Sequence, residues 1–372
     1  MTVAEQAPTT GSATWERWTN SPDMHDTWDE VQVYRAQEGT RPLARALEIC
    51  HEVIERPFGE ADVTAQRRQT RYRRNAALVA YSGSLAVILA IVHIAIGEVF
   101  GADSHAVELW KERVLVLEVI AAGFAAVAVG YGLYAYHQED WRLQRFKAEQ
   151  LRLLKFSALI EPSVLQTSEV GWDTWRRALV ERVEEIGTYD RHAIAHAAEA
   201  ETVPRAPDPK QLMHLNREAV VALVGYYDRK RLSVQRRYFA KRALAHPHNP
   251  RLGIFLFVGS IIAVAVHLAF EWMGALRASA AFVAVSAILP AMYAGLRTHH
   301  ASTESSRSIS RSAARHSALC QVDDELRKAT ESSSAKRNDF QVIFWNFKLS
   351  EFILDTDQRE WLRLMREAEW IA

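Results

Sequence analysis

Four apolar stretches, at about 76–100, 114–136, 252–272 and 274–296, fall into two close pairs, each followed by a long charged stretch of helical character. A hydrocarbon core of about 30 Å is crossed by roughly 20 apolar residues at 1.5 Å rise per residue, and each stretch reaches that length. LAIVHIA at 89–95 aligns with AVAVHLA at 263–269, which makes His93 and His267 equivalent, and Asn75 matches Asn249 at the same offset. The pattern predicts an all-α polytopic membrane protein built twice from one plan, with two transmembrane helical hairpins and a cytoplasmic helical bundle.

The charges orient these spans. Arg67, Arg68, Arg71, Arg73 and Arg74 crowd the start of the first, and Arg142, Arg145, Lys147, Arg152 and Lys155 follow the second. Arg236, Arg237, Lys241, Arg242 and Arg251 precede the third, while Arg297 and Arg307 follow the fourth. The short linkers at 98–113 and 271–277 instead carry Glu98, Asp103, Glu108, Glu112 and Glu271. The positive-inside rule then places both termini and the long middle segment in the cytoplasm, the expected location being the bacterial inner membrane. Residues 1–18 lack a basic region followed by an apolar one, so the first span is expected to act as its own insertion signal. The 372 residues carry 45 Lys+Arg against 45 Asp+Glu, a balance with no general pull toward nucleic acid, and no sequence-specific nucleic-acid binding is expected. Cys50 and Cys320 stand far apart, which suggests neither a disulfide framework nor a thiolate metal site.

Five regions follow. Residues 1–40 show no sustained period and read as a mobile leader with Trp15, Trp18 and Trp28 as aromatic docking points. Residues 41–160 hold the first hairpin and its cytoplasmic extensions: a helix over 41–55, a break at Pro57-Phe58-Gly59, a helix over 60–98, and one unbroken helix from 114 to about 160. Residues 161–209 form a linker and a middle helix near 172–199, bracketed by Pro162 and Pro204. Residues 210–335 hold a helix over about 210–245 with one apolar stripe, a joint at 246–250, the second hairpin and a continuation through 297–330. Residues 336–372 hold a helix over about 338–354 and a closing segment.

The segment WRLQRFKAEQLR at 141–152, directly after a two-span hairpin, resembles the W-x3-R-x2-A-E-x-L-R signature of the SLATT superfamily, membrane effectors associated with prokaryotic nucleotide-signalling conflict systems. YYDRKR at 226–231, LPAMYAGL at 289–296, Arg311-Ser312 and Trp361 extend the resemblance over about 41–372. Longer relatives carry an N-terminal nucleotide-binding module. The first 60 residues here are too short for one and hold no GxGxxG, so any sensor is a separate protein or a surface of the cytoplasmic helices. The resemblance implies a homo-oligomeric effector of anti-phage defence that permeabilises the host membrane. It would be driven by a nucleotide signal or a nucleotidyltransferase acting on the cytoplasmic helices; a membrane-anchored scaffold that conducts nothing is the alternative.

Candidate residues follow from the same logic. Glu118, near the outer end of the second span, lines a cation-selective ring in one reading and pairs with Arg113 in the other. His93 and His267 gate a conduit or simply bridge helices. Ala122, Ala126 and Gly130, and Ala287, Ala291 and Gly295, stand at four-residue spacing, which lets backbones approach within a protomer or between protomers. Pro290 frees a backbone carbonyl, as a hinge or as an ordinary bend. Trp141, Arg145, Glu149 and Arg152 share one helical side, with Trp141 placed in the aromatic belt beside Tyr131, Tyr134 and Tyr136, and the arginines either ion-paired or holding phosphate. His192 and His196 lack HExxH order and a third ligand, so a solvated helix face is preferred to a metal site. No Ser-His-Asp setting, reactive cysteine or paired acids appear, and neither catalysis nor a cofactor is expected.

Overall fold

The structure, a computed structural model, describes residues 19, 21–100, 105–134, 137–199, 203–244, 250–273, 276–302, 307–331 and 337–369. Among these every regular element is helical. In chain order they are α1 Trp28–Arg35, α2 Arg41–Cys50, α3 Arg56–Phe100, α4 His105–Tyr134, α5 His137–Leu159, α6 Glu169–Thr188 and α7 Arg191–Glu199. Then come α8 Arg217–Tyr227, α9 Ser233–Leu244, α10 Pro250–Trp272, α11 Leu276–Ser302, α12 Arg307–Glu331 and α13 Arg337–Glu369. The chain divides into two compact units. A polar unit takes Met1–Arg67, Glu139–Arg242 and Arg311–Ala372; an apolar unit takes Arg68–Gln138 and Ala243–Ser310.

The polar unit corrects the expected mobile leader, at least from Ser21 onward. Met24 and Val31 are buried in the core, and α1 starts with a capping box: Thr27 Oγ1 accepts from the Glu30 amide at 3.2 Å, and Glu30 Oε2 accepts from the Thr27 amide at 3.0 Å. Trp15 and Trp18 lie outside the described residues; Trp28 opens α1. The expected break at Pro57 is absent too. A π-helical turn, His51–Glu55, sits immediately before Arg56, and the helix continues into α3. Proline supplies no N–H and its ring presses on the carbonyl four residues back, so a widened turn just upstream absorbs both defects. A second π-helical turn, Asp228–Leu232, joins α8 to α9, so both helical runs that precede an apolar pair carry one.

Other boundaries shift for local reasons. The middle helix expected over 172–199 is two helices, because the Asp190 carboxylate accepts the Ala193 amide at 3.0 Å and starts α7 afresh. α8 begins at Arg217, not near 210, where the Asn216 side chain caps the Glu218 amide at 2.8 Å. α13 runs through the segment expected to follow a short last helix. Ala135, Tyr136 and residues 245–249 and 303–306 lie outside the described residues, and with them the expected continuity of 114–160 and of 297–330 and the joint at 246–250. The core is joined by an aromatic column: Phe156 of α5 meets Tyr227 of α8 edge-on at 6.0 Å, and Tyr227 meets Phe347 of α13 at 4.7 Å.

In the apolar unit α3 and α4 run antiparallel, since Asn75 donates to the Ala128 carbonyl at 3.0 Å while His93 faces Glu118 at 3.6 Å. Among the described side chains of α4, Val114, Ala121 and Ala128 are the buried ones, seven apart, which gives one narrow seam. α10 and α11 also run antiparallel: Ser260 bonds to Ser286, and Phe270 stacks on Phe282 at 5.4 Å. Two helical stretches, Glu38–Ile96 and His105–Tyr131, are long and apolar enough to cross a membrane, and only 6% and 17% of their most apolar windows are buried. Shorter apolar stretches, Val258–Phe270 and Ala281–Gly295, lie in α10 and α11.

Candidate functional site

The signature residues of α5 converge on a buried charge cluster. Arg152 donates to both oxygens of Glu149 at 2.7 Å, to Ser21 Oγ at 3.0 Å, and faces Asp23 through Nε at 2.9 Å, with its guanidinium 5.1 Å above the Phe58 ring. Arg145 pairs with Glu149 and, at 3.4 Å, with Asp62 of α3. Both arginines are engaged by carboxylates, so the phosphate-holding role weighed for them has no support in the geometry. Trp141 is buried within the polar unit, edge-on to Trp361 of α13 at 5.7 Å, which corrects its expected place in an aromatic belt.

The cluster extends through Lys155 and the YYDRKR run at 226–231, which the sequence marked only by charge and resemblance, to carboxylates it did not single out. Lys155 Nζ donates to Asp26 Oδ2 at 2.7 Å and to the Met24 carbonyl at 2.8 Å, with the side chains of Lys155 and Asp26 each 2% exposed. Tyr226 donates its hydroxyl to Asp26 at 3.0 Å, and Lys230 reaches Glu30 at 2.7 Å and the His25 carbonyl at 2.9 Å. Arg231, in the second π-helical turn, forks onto Glu351 of α13 at 2.9 and 2.8 Å, while Tyr227 donates to the same carboxylate at 2.7 Å. In the first π-helical turn, Glu55 is held between His25 at 2.7 Å and His51 at 2.5 Å. Each buried charge thus has partners of opposite sign or a donor, which is the condition for holding charge in a dry interior. The local signal for the docked segment was the Thr27-x-x-Glu30 capping box.

Burial alone would raise the Glu149 carboxyl, but the charges of Arg145, Arg152 and Arg231 hold it down at about 2. A depressed carboxylate contributes its stability above its unfolded value near 4.5 and loses it as the pH falls toward about 2. The full chain in detergent is expected to lose about 3 kcal/mol of stability across that window, read by tryptophan fluorescence during acid titration, and Glu149→Gln should flatten the response. Burial pushes the Cys50 thiol up to about 12, which makes it a packing residue and an inert one.

In the apolar unit the structure joins two separately chosen candidates, His93 and Glu118, across the α3–α4 seam. Arg113, the expected partner of Glu118, instead lies 5.5 Å over the Trp110 ring. Pro290 leaves the carbonyl of Ser286 without its helical donor, and the Ser260 hydroxyl of α10 supplies one at 2.9 Å. The freed carbonyl is therefore satisfied across the helix pair. His267 is half-buried on α10.

The two small-residue rows behave differently. A Cβ on Gly295 would overlap the Ser84 side chain and stand 3.3 Å from the Ala80 carbonyl, so this glycine lets α11 touch α3. Ala287 is exposed and Ala291 half-buried. Ala122, Ala126 and Gly130 are all exposed, and nothing lies within 4 Å of a Cβ built on Gly130. Contact within the chain uses Ala121 and Ala128 in their place. His192 and His196 are exposed on α7.

A second polar feature joins residues about 80 positions apart in sequence. Arg229, Ser233, Arg236, Arg237 and Ala240, together with His316 of α12, line an open cleft of about 480 Å³. Comparison with protein-family profiles, curated proteins and solved structures gives no match for this chain.

Proposed function

We propose that this chain is a membrane-embedded effector of the SLATT kind, crossing the bacterial inner membrane four times with both termini in the cytoplasm. Assembled as an oligomer, it opens a signal-gated pore that depolarises the host during phage infection. The observation that carries the reading is the outward surface of α4: Val119, Phe124 and Val127 are 62%, 65% and 70% exposed, and Ala122, Ala126 and Gly130 on the same stretch are exposed too. Water does not tolerate a contiguous apolar surface on a helix of this length, whereas lipid and a second copy both do. The smooth row of small residues supports close helix approach between protomers, because all three are exposed and nothing among the described residues stands within 4 Å of a Cβ on Gly130. The His93–Glu118 pair and the Ser260-held carbonyl opposite Pro290 are the polar elements from which a gate would be built.

The expected result is a chain that resists alkaline extraction from membranes and, with its cognate signal or partner protein, produces stepwise currents in a planar bilayer. Gly130→Leu is expected to leave the apolar unit folded, since nothing stands within 4 Å of that position, yet to cut oligomer and current by about tenfold. A chain that inserts but stays electrically silent under every signal and partner is an anchor for the polar unit, and the pore reading falls.

A further inference from the structure

The cleft between α9 and α12 carries an inference that stands on the polar unit alone. Positions 229, 233, 236, 237 and 240 are spaced by four, three, one and three, so one face of a single helical run presents three guanidinium groups and a hydroxyl to the same space. Each basic group is partly anchored. Arg236 is fixed by Asp323 of α12, Arg229 donates to the Tyr34 hydroxyl at 2.7 Å, and Arg237 donates to the Ser233 carbonyl at 3.2 Å. The local acids are themselves committed: Asp323 also meets Arg327 at 3.4 Å, and Asp228 accepts the Ser233 hydroxyl at 3.0 Å.

Two nitrogens of these lining residues, Arg236 Nε and His316 Nδ1, are buried without a hydrogen-bond partner among the described residues, while His316 Nε2 stands 3.7 Å from Cys320 Sγ. Buried polar nitrogens are almost always paired, so two such orphans, one on α9 and one on α12, mark a place where a partner belongs, and for Arg236 Nε that partner is an acceptor. Pre-positioned guanidinium groups with spare N–H donors suit an acceptor that is anionic and multidentate, and phosphate is the common group of that shape. The space exceeds what inorganic phosphate fills and lies in the range of small-molecule sites.

We infer that this cleft binds a phosphomonoester, with Arg236, Arg237 and Arg229 as the charged donors and His316 of α12 as a further polar contact. The ester is carried either by a soluble small molecule or by a phospholipid headgroup. α9 ends at Leu244 and α10 starts at Pro250, so the basic face also lies close in sequence to an apolar helix.

The test uses the full chain, purified in detergent and titrated calorimetrically with inorganic phosphate and adenosine monophosphate, and in parallel reconstituted in nanodiscs of phosphatidylcholine with or without phosphatidic acid. Saturable binding in either arm, weakened about tenfold or more by Arg237→Gln combined with Arg229→Gln, supports the site. Both side chains are exposed, so the variant retains its core, and an unchanged thermal melt documents that. Binding in detergent identifies a soluble ester, and binding confined to phosphatidic acid nanodiscs identifies a headgroup. Absence of binding in both arms, or binding indifferent to the double variant, overturns the inference. Neither readout depends on conductance, so failure here is distinct from failure of the pore reading.

Discussion

Deletion of residues 1–36 is expected to abolish cooperative unfolding of the polar unit. The deletion takes away Asp23 and Asp26 and leaves Lys155, whose side chain is 2% exposed, without its carboxylate. Arg152 loses its partner at 2.9 Å, and Lys230 loses Glu30 and the His25 carbonyl. An uncompensated buried charge costs about 3–5 kcal/mol, and two or more of them match the whole stability of an ordinary domain, about 5–15 kcal/mol. Met24, Val31 and Tyr34 leave holes in the same region. Thermal melts in detergent followed by tryptophan fluorescence, with limited proteolysis of α5 and α13, measure the effect. A truncated chain that melts as sharply and at the same temperature as the full chain would show that the segment adds nothing. Asp26→Asn should fall between the two, because the amide keeps a hydrogen bond to Lys155 while losing the charge.

Arg231→Met is the single substitution with the largest expected effect, about 3–5 kcal/mol. It removes a two-pronged pair at 2.9 and 2.8 Å and strands Glu351 in the interior with only the Tyr227 hydroxyl at 2.7 Å. It also removes the guanidinium lying 4.8 Å from the Phe156 ring, a contact that methionine replaces in part. The penalty comes from the orphaned carboxylate more than from the lost attraction, so adding Glu351→Gln should restore most of the stability. A double-mutant cycle in the denaturant midpoint reads this directly. If the double variant is as unstable as Arg231→Met alone, shape and not charge governs the site.

The helices were legible because their signals are local. Apolar runs, arginine clusters and prolines lie within a few residues of what they determine. The pairing of the runs could be read from their spacing, although which side of α4 faces α3 could not: α4 is apolar all round, so Ala122, Ala126 and Gly130 looked as suitable for the seam as Ala121 and Ala128. The N-terminal segment read as mobile because its order depends on partners such as Tyr226, 200 residues from Asp26. No window of sequence contains both. The α5 signature could be seen to share one side, and its ion pairs were legible as a class; their identity required Asp23 and Asp62 to be placed. The cleft was hidden for the same reason, with His316 on a helix remote from α9. Pro57 misled because the remedy for a proline, a widened turn, leaves no mark in composition.

The polar unit is drawn from three separate stretches, Met1–Arg67, Glu139–Arg242 and Arg311–Ala372, and an apolar pair is synthesised in each gap between them. Asp26 leaves the ribosome 200 residues ahead of Tyr226, a wait on the order of ten seconds or more, and the Arg231–Glu351 fork closes only after α13 has emerged. Until then a half-made chain carries naked charges destined for a dry interior, the state that quality-control proteases are built to find. Closure of the polar half therefore waits on α13, so only a chain that already contains both apolar pairs can bring these charges to their partners.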